Sequence, residues 1–287
     1  MRRFLLPLLA IPFSVLLTAP AWADHARTVE ARLASGKFVT ADYHAGKRDR
    51  PTVLLLHGFL QTREFPTVAG LQGVLSMGDY TVLAPTLSLG ISRRNRSLPC
   101  EAVHLHTLQE DAGEVAFWVR WLQRQGHHNI VLAGHSFGSV QLLAYLAQSP
   151  SPAVKRALMI SLSDVEVKQG AAQRAQLATA LRERVAEQDR SLAEAELGHC
   201  RKYVGPPAAV LSYLDVTRES MLRALTQSPV PVTAIMGSKD DRMGPDWIGT
   251  LRARGIDVHM IEGASHFFDN QYEFDLQDTV LQALQEK

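Results

Sequence analysis

Residues 129–138 read N-I-V-L-A-G-H-S-F-G, and this stretch constrains the fold more than any other. Ile130 to Ala133 are apolar and partly β-branched, which suits a buried parallel strand. After Gly138, Val140, Leu142, Leu143, Tyr145 and Leu146 are spaced as a buried helix that stops before Pro150. Between strand and helix stands Gly134-His135-Ser136-Phe137-Gly138, a G-x-S-x-G pattern in strand–turn–helix context. Such a turn strains the serine backbone and projects its hydroxyl above a sheet. Glycines on either side let the turn pass close to neighbouring backbone.

The rest of the chain supplies the sheet that such a turn requires. Residues 28–45 alternate as an antiparallel hairpin turning near Ser35-Gly36-Lys37. Buried strands are expected at 51–56, 81–84, 157–162, 232–236 and 257–261, with helices at 108–125, 247–254 and 274–284. Strands alternating with helices imply a mainly parallel sheet covered on both faces, an α/β fold. Between about 165 and 229 the strand rhythm stops, and Leu177, Leu181, Val185 and Leu192 fall at helical spacing. This segment reads as an inserted helical cap, because it is too small to own a core. No internal repeat or low-complexity segment interrupts the pattern.

The N-terminus reads as a secretory signal peptide. Arg2 and Arg3 precede an apolar run from Phe4 to Leu17, and Ala21-Trp22-Ala23 has the small-x-small form of a cleavage site. The run is short and broken by Pro7 and Pro12, which disfavours a membrane anchor. Cleavage after Ala23 leaves residues 24–287 as one domain, exported to the periplasm or secreted, with no stable membrane anchor. Arg2 and Arg3 leave with the peptide, so 30 basic and 29 acidic side chains become 28 and 29. A balance so near neutrality gives no electrostatic case for a nucleic-acid partner. Cys100 and Cys200 are the only cysteines, and in an exported chain they are expected to pair as a disulfide.

A serine hydroxyl is a poor nucleophile at neutral pH; it needs a base, and the base needs an orienting acid. The acid and then the histidine are expected to follow the elbow in sequence. Of eleven histidines, only His266 has both that order and a place just beyond a strand end. For the acid, the strand at 232–236 runs into Gly237-Ser238-Lys239-Asp240-Asp241; Asp240 is preferred for its G-x-x-D spacing and Asp241 is the alternative. A tetrahedral acyl intermediate also needs an oxyanion hole. The amide of Phe137, directly after the serine, and that of Phe59, in His57-Gly58-Phe59-Leu60, are placed to form one. His57 is expected to hold that loop by a local hydrogen bond. His104-Leu105-His106 and His127-His128 lack a zinc-like set of partners, so no metal site is expected. Arg93, Arg94 and Arg96 read as a solvated basic loop, with contact to an acidic substrate group as the alternative, since the cluster follows a strand end.

Taken together, H-G-F-L at 57–60, G-H-S-F-G at 134–138, G-S-K-D at 237–240 and G-A-S-H at 263–266 resemble, in that order, the lipase and esterase-like branch of the α/β-hydrolase superfamily. The resemblance covers about residues 28–287. It implies an α/β-hydrolase fold and a serine hydrolase with no metal or organic cofactor, acting on a small-molecule carboxylic ester. Asp164 becomes a third candidate acid, since some relatives take theirs from that position. Amide or thioester hydrolysis, acyl transfer with the same triad, and a non-catalytic binding protein on this scaffold are the alternatives.

Overall fold

The computed structural model describes residues 27–285 apart from 149 and 168; the expected signal peptide lies outside the described residues. Its elements in chain order are β1 (Arg27–Arg32), β2 (Phe38–His44), β3 (Thr52–Leu56), α1 (Pro66–Met77), β4 (Thr81–Thr86), α2 (Leu108–Arg124), β5 (Ile130–His135), α3 (Phe137–Leu146) and β6 (Val154–Ile160). Next come α4 (Ala171–Ala186), β7 (Ala193–Leu197), β8 (Cys200–Gly205), α5 (Pro207–Leu214) and α6 (Arg218–Thr226). The chain closes with β9 (Val232–Gly237), α7 (Trp247–Ala253), β10 (Asp257–Ile261) and α8 (Tyr272–Gln285).

Eight strands form one sheet in the order β1-β2-β4-β3-β5-β6-β9-β10. β2 runs antiparallel to both β1 and β4, and the remaining neighbours are parallel. The alternation of side chains splits the core in two. Leu54, Leu56 and Leu132 join Trp118, Leu143 and Trp247 on one face, under α2, α3 and α7. Val53, Leu55, Val131 and Ala133 join Leu71, Leu75 and Val280 on the other, under α1 and α8. Burial on both faces explains why these strands read as continuous apolar runs. α2 begins at a capping box in which Thr107 and Glu110 satisfy each other's backbone amides.

The connections from β3 lead one way to β4, and the chain then returns to β5 on the other side of β3. The crevice of an open α/β sheet opens beyond the strand ends at such a switch. The loop holding Phe59 follows β3 and Ser136 follows β5, so the sheet order alone brings them side by side.

Between β6 and β9 the expected helices are present, joined by an antiparallel hairpin of β7 and β8 that helical spacing did not anticipate. Leu192, read as part of a helix face, lies outside α4 and is half exposed. The insertion is fastened to the loop after β4. Cys100 and Cys200 form a disulfide with a Cα–Cα distance of 5.3 Å, and the His104 amide donates to the Val204 carbonyl at 2.8 Å. The bridge closes a separation of 100 residues. Removing it with Cys100→Ala and Cys200→Ala together is expected to lower the unfolding free energy by about 2–5 kcal/mol. A urea midpoint equal to that of the oxidised wild type would contradict this.

Candidate active site

Ser136 sits between β5 and α3 with φ 56° and ψ −124°, a positive-φ backbone that side chains disfavour. Its amide donates to the Ile160 carbonyl of β6 at 2.7 Å, and Ser139 Oγ donates to the Gly134 carbonyl at 2.6 Å. The two motif glycines are required by space. A Cβ on Gly134 would stand 2.7 Å from the carbonyl carbon of Gly138, and one on Gly138 would stand 2.5 Å from the His57 carbonyl oxygen.

His266, in the loop after β10, reaches this serine. Its Nε2 lies 2.8 Å from Ser136 Oγ and its Nδ1 lies 2.7 Å from Asp240 Oδ2. An ionised carboxylate can only accept, so Nδ1–H donates to Asp240 and the Nε2 lone pair accepts the serine hydroxyl. All three residues are buried. Asp240 Oδ1 takes the Arg242 amide at 2.8 Å, which fixes the carboxylate after β9. The other acids lie elsewhere. Asp241 is exposed. Asp164 is buried but accepts from the Glu166 amide and faces Arg218 at 3.7 Å.

Two histidines beside the motif serve as struts. His135 Nε2–H donates to the His266 carbonyl at 3.0 Å, an oxygen that also accepts from Ser161 Oγ at 2.9 Å. Burial, with the nearby His266 adding to it, lowers the His135 pKa to about 3, so the ring is neutral. His57 Nδ1–H donates to the Gly58 carbonyl at 2.8 Å, the local bond expected of it. Its Nε2 accepts from the Leu87 amide at 3.0 Å and from Arg94 Nη2 at 3.2 Å. Burial first, and Arg94 second, hold this ring's pKa down to about 3.

Arg94 departs from the solvated loop read for the basic cluster. Arg93 and Arg96 are exposed, whereas Arg94 is buried. It donates to the carbonyls of Leu87 at 2.6 Å, Arg96 at 2.8 Å and Gln61 at 2.7 Å. Arg94 therefore ties the loop after β4 to the loop after β3, and a basic triplet carries no mark of which member turns inward. His135 and Ser161 were also missed; their only signal is position beside the motif and beyond β6.

Phe59 and Phe137 pack ring to ring at 4.8 Å, and Phe59 also meets Tyr203 and Tyr213 of the insertion. Phe137 is the first residue of α3, where an amide has no acceptor within the helix. Above Ser136 lies a cavity of about 40 Å³ lined by Phe59, Phe137, Asp164, Arg174, Leu197, His199, Tyr213 and Arg242. Cys100, Cys200 and His199 also cluster, but both sulfurs are committed to the disulfide. His104 stacks on Tyr203 at 4.3 Å, and His106 pairs with Asp111 at 3.1 Å. His127 bonds Tyr43 and Thr52.

The eight-stranded sheet, the strained serine after β5 and the two loops that meet it define an α/β hydrolase. A family model of the alpha/beta hydrolase family matches residues 53–274, and the chain belongs to that family. Among solved structures it is similar to Est1E from Butyrivibrio proteoclasticus, with 14% identity and a TM-score of 0.63 over 90% of this chain and 99% of the other. A thermophilic esterase from Thermogutta terrifontis in a malate-bound structure is 17% identical, with a TM-score of 0.60 over 90% of this chain and 98% of that one. The thioesterase domain from the curacin biosynthetic pathway is 18% identical, with a TM-score of 0.57 over 89% of this chain and 99% of that one. No curated protein sequence matches the chain.

The neutral struts give stability a pH dependence of known sign. An unfolded histidine takes a proton below about 6.5, whereas His135 does so only near 3. Its contribution is fully present above 6.5 and is lost as pH falls, by about 2 kcal/mol between pH 7 and pH 5. Glu114, whose pKa burial raises to about 7, works in the opposite direction over this range. The readout is therefore a difference between proteins. Urea unfolding at the two pH values should show His135→Gln losing about 2 kcal/mol less than wild type on acidification; equal losses would contradict a neutral buried ring.

Proposed function

We propose that the chain is an exported serine hydrolase that cleaves a carboxylic ester. The observation that carries this reading is the chain of contacts from Ser136 Oγ to His266 Nε2 at 2.8 Å and from His266 Nδ1 to Asp240 at 2.7 Å. Ser136 Oγ attacks the acyl carbon while its proton passes to His266 Nε2. The Phe59 and Phe137 amides hold the oxyanion, and Asp240 keeps the imidazole in the tautomer that accepts at Nε2 and stabilises the imidazolium. Collapse of the tetrahedral species breaks the bond to the alcohol oxygen, which takes the proton from His266. Water then attacks the acyl-enzyme with His266 again as base, releasing the acid and restoring Ser136.

The insertion at about 165–229 acts in this reading as the cap that sets substrate choice. The walls that Phe59, Phe137 and Tyr213 set beside Ser136 favour a short acyl or alcohol group over a long lipid chain. Export rests on the residues 1–23 pattern and is supported by the Cys100–Cys200 disulfide, a bond of oxidising compartments. Among the described residues no helix is long and apolar enough to cross a membrane.

A fluorophosphonate probe is expected to label Ser136 in the folded protein. Ser136→Ala should lower ester kcat by on the order of 10⁴-fold or more. Asp240→Asn should cost roughly 10³–10⁴-fold, while Asp241→Asn stays within about threefold of wild type. Retention of wild-type turnover by Ser136→Ala would sink the assignment, and a larger loss in Asp241→Asn would transfer the orienting role.

A further inference from the structure

Arg174 belongs to the first turns of α4 and lines the cavity above Ser136, where it is only 4% exposed. Its Nη2 donates to the carbonyls of Tyr213, Leu214 and Val216 at 3.3, 3.4 and 3.0 Å. Its Nε is buried with no acceptor, and among the described residues Nη1 has none either. A guanidinium offers five N–H donors, so the remainder of this group is unspent. A buried charge without a counter-charge in contact is costly, and a fold retains one only where something else is gained.

The carboxylates that could match it are committed elsewhere. Asp164 and Glu166 act on Arg174 through space but form no ion pair with it. Asp164 faces Arg218 at 3.7 Å, and Glu166 Oε1 accepts the Arg218 amide at 3.0 Å. Burial also raises the pKa of Asp164, which weakens it as a counter-ion. A second guanidinium, Arg242, lines the same cavity and stacks over Phe267 at 5.0 Å. Asp240 and Asp241 act on it through space without an ion pair among the described residues. The lining thus sets two guanidinium groups against one buried acid.

We propose that the Ser136 cavity takes an ester bearing a carboxylate within a few bonds of the scissile carbonyl, with Arg174 receiving that carboxylate and Arg242 adding positive potential. This rests on Ser136 being the nucleophile, as above. A carboxylate accepts charge-assisted hydrogen bonds from the free N–H groups and supplies the missing counter-charge. A neutral group in its place leaves the guanidinium buried and unmatched, so discrimination comes from the penalty on the wrong substrate as much as from attraction to the right one. Arg174 and Ser136 line the same cavity, which keeps the acid close to the reacting carbon. With the carboxylate on the acyl side, the products are a short dicarboxylic acid and an alcohol.

Ethyl hydrogen succinate against ethyl pentanoate tests the acyl side, and the acetyl ester of glycolic acid against ethyl acetate tests the alcohol side. In one of the two pairs kcat/KM should favour the carboxylate-bearing ester by about tenfold or more. Arg174→Gln should cut that ratio by about tenfold, chiefly through KM, and Arg174→Lys should restore part of it. No preference in either pair, or a ratio unmoved by Arg174→Gln, overturns the proposal. Should Arg174→Gln fold poorly, wild-type protein alone decides: succinate should slow fluorophosphonate labelling of Ser136 and propionamide should not. Equal labelling rates with both additives overturn the carboxylate site while leaving Ser136 as nucleophile. Calorimetric binding of succinate that Arg174→Gln weakens supports the site independently of turnover, and so separates its fate from that of the triad.

Discussion

The backbone of Ser136 is held where a residue with a side chain does not rest unaided, and the rest of the site is arranged around that constraint. A non-glycine residue at φ 56° carries strain of order 1–3 kcal/mol. It persists because its surroundings leave it no alternative. β5 is locked in parallel register between β3 and β6. The serine amide is tied to Ile160, and the glycines at 134 and 138 let three backbone segments approach where a Cβ would collide. Gly58, in the loop after β3, comes so near that a Cβ there would stand 3.3 Å from that of Ser136. Relaxing the turn would therefore move the hydroxyl away from His266 and the Phe59 loop away from both.

Around that turn, three buried histidines divide the work according to their partners. His57 meets a carbonyl on one nitrogen, and an amide and a guanidinium on the other. A cation beside it and burial around it both oppose a second proton, so it can only brace the loop. His135 donates to a carbonyl and is surrounded by the rings of Phe65 and Phe267. Only His266 faces a carboxylate on one side and a hydroxyl on the other, the one pairing of the three that favours a positive ring in passing. The same side chain thus serves as a strut at two positions, and at His266 the neighbouring carboxylate suits it to the proposed role of proton carrier.

Most of the sheet was legible because its strands are buried on both faces and leave runs such as Thr52–Leu56 and Val232–Gly237 in the sequence. The order of serine, acid and histidine was legible for the same reason: each stands at the end of such a run. What could not be read turns on pairing. Residues 193–197 are A-E-A-E-L, a helix-forming composition, yet Ala193, Ala195 and Leu197 face inward at a period of two because β8 is there to pair with. Asp240 and Asp241 are adjacent and alike in sequence, and only the turn closed by the Asp240 amide on the Gly237 carbonyl at 3.2 Å aims the first inward. Arg94 differs from Arg93 and Arg96 by a backbone reversal at Arg93, φ 54°, which composition does not record.

The roof of the cavity is fixed as firmly as its floor, and this bears on how selectivity can arise. Tyr213 lines the cavity and donates to Asp111 Oδ2 of α2 at 2.5 Å. Gln141 of α3 donates to the same oxygen at 2.7 Å, and His106 pairs with the other. This buried network joins the insertion to the helix that begins at the elbow, while the disulfide and the Phe59 aromatic cluster hold its other side. A roof so tied cannot readily rearrange to suit whatever enters. Buried polar groups in a rigid wall discriminate by what they leave unpaired, since the wall does not relax to absorb the mismatch. Arg174, anchored through three carbonyls at the end of the helix that carries Tyr213, is held by that same framework. The positions of the serine and of the unmatched guanidinium are thus set by one connected scaffold.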